Sequence, residues 1–130
     1  KLDLYKRIAA ISSEEEASDM ADELTDRFGK VPAGTRNLID IALLRSRAHR
    51  LFIENMKVTE KEISMYIYKN ATIDPTRIAP LLESFGGRMR FVTTGRPAFI
   101  YSVTAEERTG DGDTISLTSG VLDRMGMLIE

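Results

Sequence analysis

The segment SEEEASDMADELTDRFGKVP, residues 13–32, decides how the chain is to be read. Ala17, Met20, Ala21, Leu24 and Phe28 recur at spacings of three and four, which at about 100° per residue puts them on one narrow helical stripe. Such a stripe is expected to be buried. Ser13 stands three residues before Glu16, the spacing of a capping box, in which hydroxyl and carboxylate each accept from an unpaired backbone N–H. Gly29 is expected to close the helix, because glycine takes positive φ at little cost, and Pro32 bars any continuation. Leu24 and Phe28 are therefore predicted core residues and Gly29 a cap.

The other side of this helix carries Glu15, Asp19, Asp22, Glu23 and Asp26, roughly 140° to 240° from the apolar stripe and with no base among them. Glu14, Glu15 and Glu16 lie in the first turn, where the helix dipole favours negative charge. Asp22, Glu23 and Asp26 lie in the second half, where the dipole favours bases, and Asp22 and Asp26 repel each other at i,i+4. This face reads either as a solvated surface or as a docking surface for a basic partner.

At 130 residues the chain fits one domain that can bury a core without staples, and it holds no cysteine for a disulfide frame, a thiolate nucleophile or a cysteine-bound zinc. A net charge of −2 gives no general attraction to phosphate, so a nucleic-acid role would rest on a local patch. No apolar run approaches the roughly 18 residues of a membrane span and no signal peptide opens the chain; it is the absence of cysteine that leads to the expectation of an intracellular setting. The first residue is Lys1, inside a helical pattern, and the expectation is a piece of a longer protein.

Leu2, Leu4, Tyr5, Ile8, Ala9 and Ile11 predict a short helix ahead of Ser12. After Pro32, Thr35 is expected to cap a third helix running to about Ile53, with Leu38, Ile41, Ala42, Leu44, Ala48, Leu51 and Phe52 on a broad apolar face covered on more than one side. Its polar strip holds Arg36, Arg47 and Arg50, either solvated or in contact with phosphate or carboxylate. From Met56 the period falls to two. Residues 56–59 and 63–68 read as a hairpin turning at Glu60-Lys61. Asp74 and Pro75 open a helix that closes at Gly86-Gly87, with an irregular first turn because of Pro80. A second hairpin spans 89–103 around Thr94-Gly95-Arg96-Pro97, Thr104 to Asp113 is a polar loop, and a last helix is expected over 114–129 with Ile115, Leu122, Met125 and Ile129 on one side. The fold class is α+β: three N-terminal helices packed on a small antiparallel sheet, then strand-strand-helix twice.

Catalytic chemistry finds little support. His49 has no serine, cysteine or second histidine at a recognisable spacing, so it reads as a core or boundary residue and neither a base nor a zinc ligand. Asp111 and Asp113 flank Gly112 as in a calcium loop, but the further ligands and closing glutamate are missing. Gly86-Gly87 and the Gly110-x-Gly112 pair lack the lysine-serine/threonine ending of a phosphate loop. The carboxylates of the second helix have no apolar pocket to separate their pKa values. No catalytic residue, metal or cofactor is assigned.

Three stretches carry a resemblance: LDLYKRIAAI at 2–11, ADELTDRFGKVP at 21–32, with ELTDRFG at 23–29 the most specific, and NLIDIALLRSRA at 37–48. They resemble the C-terminal domain of the bacterial transcription-repair coupling factor, clearly over about the first 55 residues. Phe52 departs from that family, which commonly follows the leucine with glycine. The resemblance implies the end of a cytoplasmic, ATP-driven DNA translocase that displaces stalled RNA polymerase and recruits excision repair, with ATP hydrolysis and DNA contact confined to upstream domains. It also implies a non-catalytic clamp on an N-terminal UvrB-like module, masking the surface that binds UvrA. Asp19, Asp22, Glu23 and Asp26 are the partner-binding residues this suggests, with Glu23 and Asp26 accepting from arginines on the module. The alternative is a nucleic-acid-binding accessory domain using Arg36, Arg47 and Arg50, or Arg88, Arg90 and Arg96.

Overall fold

The computed structural model describes residues 2–110 and 113–130, so the calcium-loop pattern at Asp111 and Gly112 lies outside the described residues. The chain divides into two compact units, residues 1–47 and 48–130. The first is helical: α1 (Leu2–Ala9), α2 (Glu14–Phe28) and α3 (Ala33–Arg50), whose last turn falls in the second unit. The second unit orders β1 (Ile53–Val58), β2 (Glu62–Ile67), a 3-10 turn (Pro75–Arg77), α4 (Ile78–Ser84), β3 (Met89–Val92), β4 (Ala98–Ser102), α5 (Ala105–Thr109), α6 (Thr114–Arg124) and a 3-10 turn (Met125–Leu128). The α+β order is the one expected.

Helix α2 starts where its cap dictates. The Ser13 hydroxyl accepts from the Glu16 N–H at 3.1 Å, but Glu16 returns its carboxylate to the backbone N–H and hydroxyl of Ser12, one residue earlier than a simple capping box. Gly29 closes the helix at φ 83°, its N–H on the Thr25 carbonyl. Ala17, Met20 and Leu24 are buried with Ile8, Ile11, Ile39 and Ala42 in a core that Leu4, Ala21, Val31 and Leu43 border.

Three predicted core positions are corrected. Phe28 continues the apolar stripe yet is 67% exposed, because the core it points along ends at Leu24 and the chain turns away at Gly29. Leu38 and Ile41 are 42% and 40% exposed, whereas Ile39, absent from the expected set, is fully buried. A helix apolar over half its circumference does not say which part faces its neighbours, and α1 and α2 select the Ile39–Ala42 side. Helix α3 also begins two residues before Thr35, with the Pro32 carbonyl accepting from the Arg36 N–H.

In the second unit the four strands are antiparallel in the order β1-β2-β4-β3. Register sets Met65 opposite Phe99 and Phe99 opposite Phe91, and likewise Ile63, Tyr101 and Met89 in a row, so one face is continuously apolar. Phe85, the C-cap of α4, meets Tyr101 edge-on at 5.8 Å, which sets α4 on that face. Arg124 of α6 lies over the Phe85 ring and donates to the Ser84 carbonyl, tying α6 to α4. The central position of β4 accounts for the buried run Ala98, Phe99 and Tyr101.

Three further boundaries differ from the sequence reading. Strand β1 starts at Ile53, three residues early, with a bulge between Ile53 and Asn55. The first turn falls at Glu60-Lys61 as expected, organised by Thr59, whose hydroxyl accepts from the Lys61 and Glu62 N–H groups. The stretch 104–113 contains α5, fixed by a capping box in which Thr104 accepts from the Glu107 N–H and Glu107 from the Thr104 N–H. The final helix tightens to 3-10 at Met125, rotating Leu128 into the core and leaving Ile129 45% exposed. The irregular start expected from Pro80 is present as the 3-10 turn at Pro75–Arg77.

Candidate functional site

The outer face of α2 is held rigid by its caps and by the core beneath it, so its carboxylates are fixed in spacing though free at their tips. Asp19, Asp22 and Asp26 are all exposed. None takes part in an ion pair or side-chain hydrogen bond recorded among the described residues. Asp22 and Asp26 stand one turn apart, concentrating negative field where the C-terminal end of a helix is already negative.

Glu23 is different. It is half-buried and both its oxygens are held from α1 by Arg7, with N–O distances of 2.7 and 2.6 Å, while Arg27 approaches at 3.5 Å. The hydrogen bonds and charge of Arg7 hold the Glu23 carboxyl below its ordinary range, and Glu23 in turn raises the Arg7 guanidinium. Sequence reasoning left Arg7 out. The four-residue link, residues 10–13, keeps α1 and α2 neighbours, but the meeting of positions 7 and 23 is set by how the two helices pack around their shared core.

The basic candidates are engaged elsewhere. Arg36 pairs with Asp40 at 3.6 Å, Arg90 with Glu62 at 3.4 Å, and Arg96 with Glu54 while lying over the Tyr66 ring. Arg47 is half-buried, and both it and Arg50 make contacts of their own. Arg88 is exposed, and no ion pair is recorded for it among the described residues.

His49 is exposed rather than packed in a core, a correction to its expected placement. It meets the Tyr68 hydroxyl at 2.6 Å from Nε2, the two rings edge-on. Together with Phe52, Glu54 and Lys69 they line a shallow depression with no serine or cysteine among its lining residues. Asp113 serves as the N-cap of α6, accepting from the Ser116 N–H at 2.7 Å. Among the described residues no three histidine or carboxylate side chains come together as a metal site, and no helix is long and apolar enough to cross a membrane.

The arrangement leaves an acidic face, Asp19, Asp22 and Asp26, exposed on α2. A family model described as the TRCF domain matches residues 1–78, which contain that face. The transcription-repair-coupling factor of Escherichia coli (strain K12) is 33% identical over 104 residues, covering 80% of this chain and 9% of the relative. That of Bacillus subtilis (strain 168) is 26% identical over 113 residues, 85% of this chain and 10% of the relative. The chain thus spans about a tenth of the curated relatives it matches. A crystal structure of the C-terminal domain of transcription-repair coupling factor superposes with a TM-score of 0.72 at 18% identity, covering 99% of this chain and 78% of that one, a likeness of fold. With more than half its length matched by the family model and a third of its aligned residues shared with the Escherichia coli protein, the chain belongs to the TRCF domain family.

Proposed function

We propose that this domain is a non-catalytic clamp at the end of a longer transcription-repair coupling factor. It docks on an N-terminal UvrB-like module of the same protein and masks that module's UvrA-binding surface until stalled RNA polymerase is engaged. ATP hydrolysis and DNA translocation belong to the preceding domains, in the bacterial cytoplasm. The observation that carries this reading is the row Asp19, Asp22 and Asp26, exposed on one side of a capped helix with no counter-charge recorded among the described residues. Arginines on the module would take these carboxylates, with Glu23 and Asp26 as i,i+3 neighbours and Asp22 and Asp19 strengthening the field.

Charge pairs of this kind suit a releasable contact. Hydrogen bonds to charged groups contribute about 1.5–3 kcal/mol each, less where solvent screens them. A tether multiplies their effect through high effective concentration, so a few such contacts hold the closed state and still let go. The test is Asp22→Asn with Asp26→Asn in the full-length protein. UvrA binding should rise while the fold, followed by circular dichroism, stays unchanged. UvrA binding equal to that of the unaltered protein would defeat the clamp.

A further inference from the structure

We infer that the depression at the corner between α3 and β1 is a binding site for a mononucleotide, one aromatic base carrying one phosphate. The site is independent of the clamp, since its residues lie in the second unit, 48–130, and the acidic face of α2 lies in the first. It is lined by three rings, His49, Phe52 and Tyr68, and by the turn that follows β2, and its volume is about 420 Å³. Small-ligand sites run from roughly 300 to 1,000 Å³, so a single nucleotide is of matching size.

Two groups of side chains share the site. The rings form the first. Phe52 is held there on left-handed backbone, at φ 68°, with its carbonyl accepting from the Tyr68 N–H at 2.9 Å, and the Tyr68 hydroxyl meets Nε2 of His49 at 2.6 Å. These contacts fix an aromatic surface on which a planar base can stack. The second group is a set of donors. The Ala71 N–H closes a turn on the Tyr68 carbonyl at 3.2 Å, and Lys69 and Asn70 within that turn, with Thr72 just after it, line the same depression. Among the described residues no ion pair is recorded for Lys69 and no side-chain hydrogen bond for Asn70 or Thr72, so ammonium, amide and hydroxyl are all available to a ligand. The one carboxylate among the lining residues, Glu54, is held by Arg96, which leaves the charge of Lys69 uncompensated. An ammonium with a hydroxyl nearby selects a phosphate, and an amide, donor and acceptor at once, matches the polar edge of a base. A nucleotide uses both groups, whereas inorganic phosphate leaves the rings idle.

The experiment titrates the 130-residue chain with AMP, adenosine, inorganic phosphate and phosphotyrosine, followed by amide NMR. AMP should shift His49, Phe52 and residues 68–72 saturably and bind more tightly than adenosine or phosphate. Lys69→Ala, at an exposed position, should weaken AMP about tenfold and phosphate by a like factor. Phe52→Gly, which keeps the left-handed backbone, should weaken AMP about fivefold and leave phosphate unchanged. Should Phe52→Gly disturb the corner, Phe52→Leu takes its place. AMP shifts that fail to saturate or that centre elsewhere would overturn the inference, as would AMP binding indifferent to Lys69→Ala with a preserved spectrum. Phosphotyrosine or phosphate bound as tightly as AMP would overturn the assignment of a nucleotide. None of these outcomes bears on UvrA binding, which tests the clamp separately.

Discussion

The Tyr68 N–H donates to the Phe52 carbonyl at 2.9 Å, and Phe52 is the one non-glycine residue with positive φ, 68°, among those described. The bond fastens the corner between α3 and β1 to the far end of β2, and it requires a left-handed residue at position 52. Left-handed backbone costs a non-glycine residue roughly 1–2 kcal/mol. Phe52→Gly should remove that cost while giving up only the half-buried ring, leaving stability within about 1 kcal/mol of the parent. Phe52→Val, β-branched and less tolerant of positive φ, should lower it. Denaturant midpoints of the two variants check this, and a Val variant as stable as the Gly one contradicts the strained corner.

Phe28 and Phe99 separate the helical stripe from the true core. Phe99 is fully buried in the central strand and Phe28 is 67% exposed. Phe99→Ala should cost about 3–5 kcal/mol and Phe28→Ala within about 0.5 kcal/mol. A large loss on truncating Phe28, measured by urea unfolding, would mean that the stripe is buried as its spacing alone suggests.

Glu107 supplies a pH dependence. Burial pushes its carboxyl up, but the Thr104 N–H, the Tyr101 hydroxyl and the Thr104 side chain outweigh that, and the net shift is downward. A carboxylate whose folded value lies below its unfolded one adds stability above the unfolded value, and this is lost as pH falls through the folded value. Acidification from neutrality should therefore leave this contribution untouched until pH drops below the ordinary glutamate range near 4.5. Glu107→Gln should cost about 1 kcal/mol at pH 7, by loss of charge-assisted bonds to Tyr101 and Thr104, and should flatten stability against pH at the acid end. Thermal melts from pH 7 to pH 3 measure both; a Gln variant with the parent's acid slope would place the dependence elsewhere.

Much of the architecture was legible because it is written locally. The Ser13 cap, the Gly29 stop, the Pro80 irregularity and the period-two alternation of Ile63, Met65 and Ile67 each depend on residues within a few positions of one another. Helix α5 was equally local, since Thr104 and Glu107 stand at capping-box spacing, but a five-residue helix lacks the apolar period that usually attracts notice.

The sequence by itself determined the α+β order, the ends of α2 and the acidic character of its outer face, because turn chemistry and helical period need no distant partner. Tertiary structure alone decided that Ile39 is buried and Leu38, Ile41 and Phe28 are not, since several apolar faces were available and packing against α1 and α2 chose among them. It also divided the carboxylates of α2, giving Glu23 to Arg7 and leaving Asp19, Asp22 and Asp26 exposed, because a charge sixteen residues away acts only once the chain has folded back on itself.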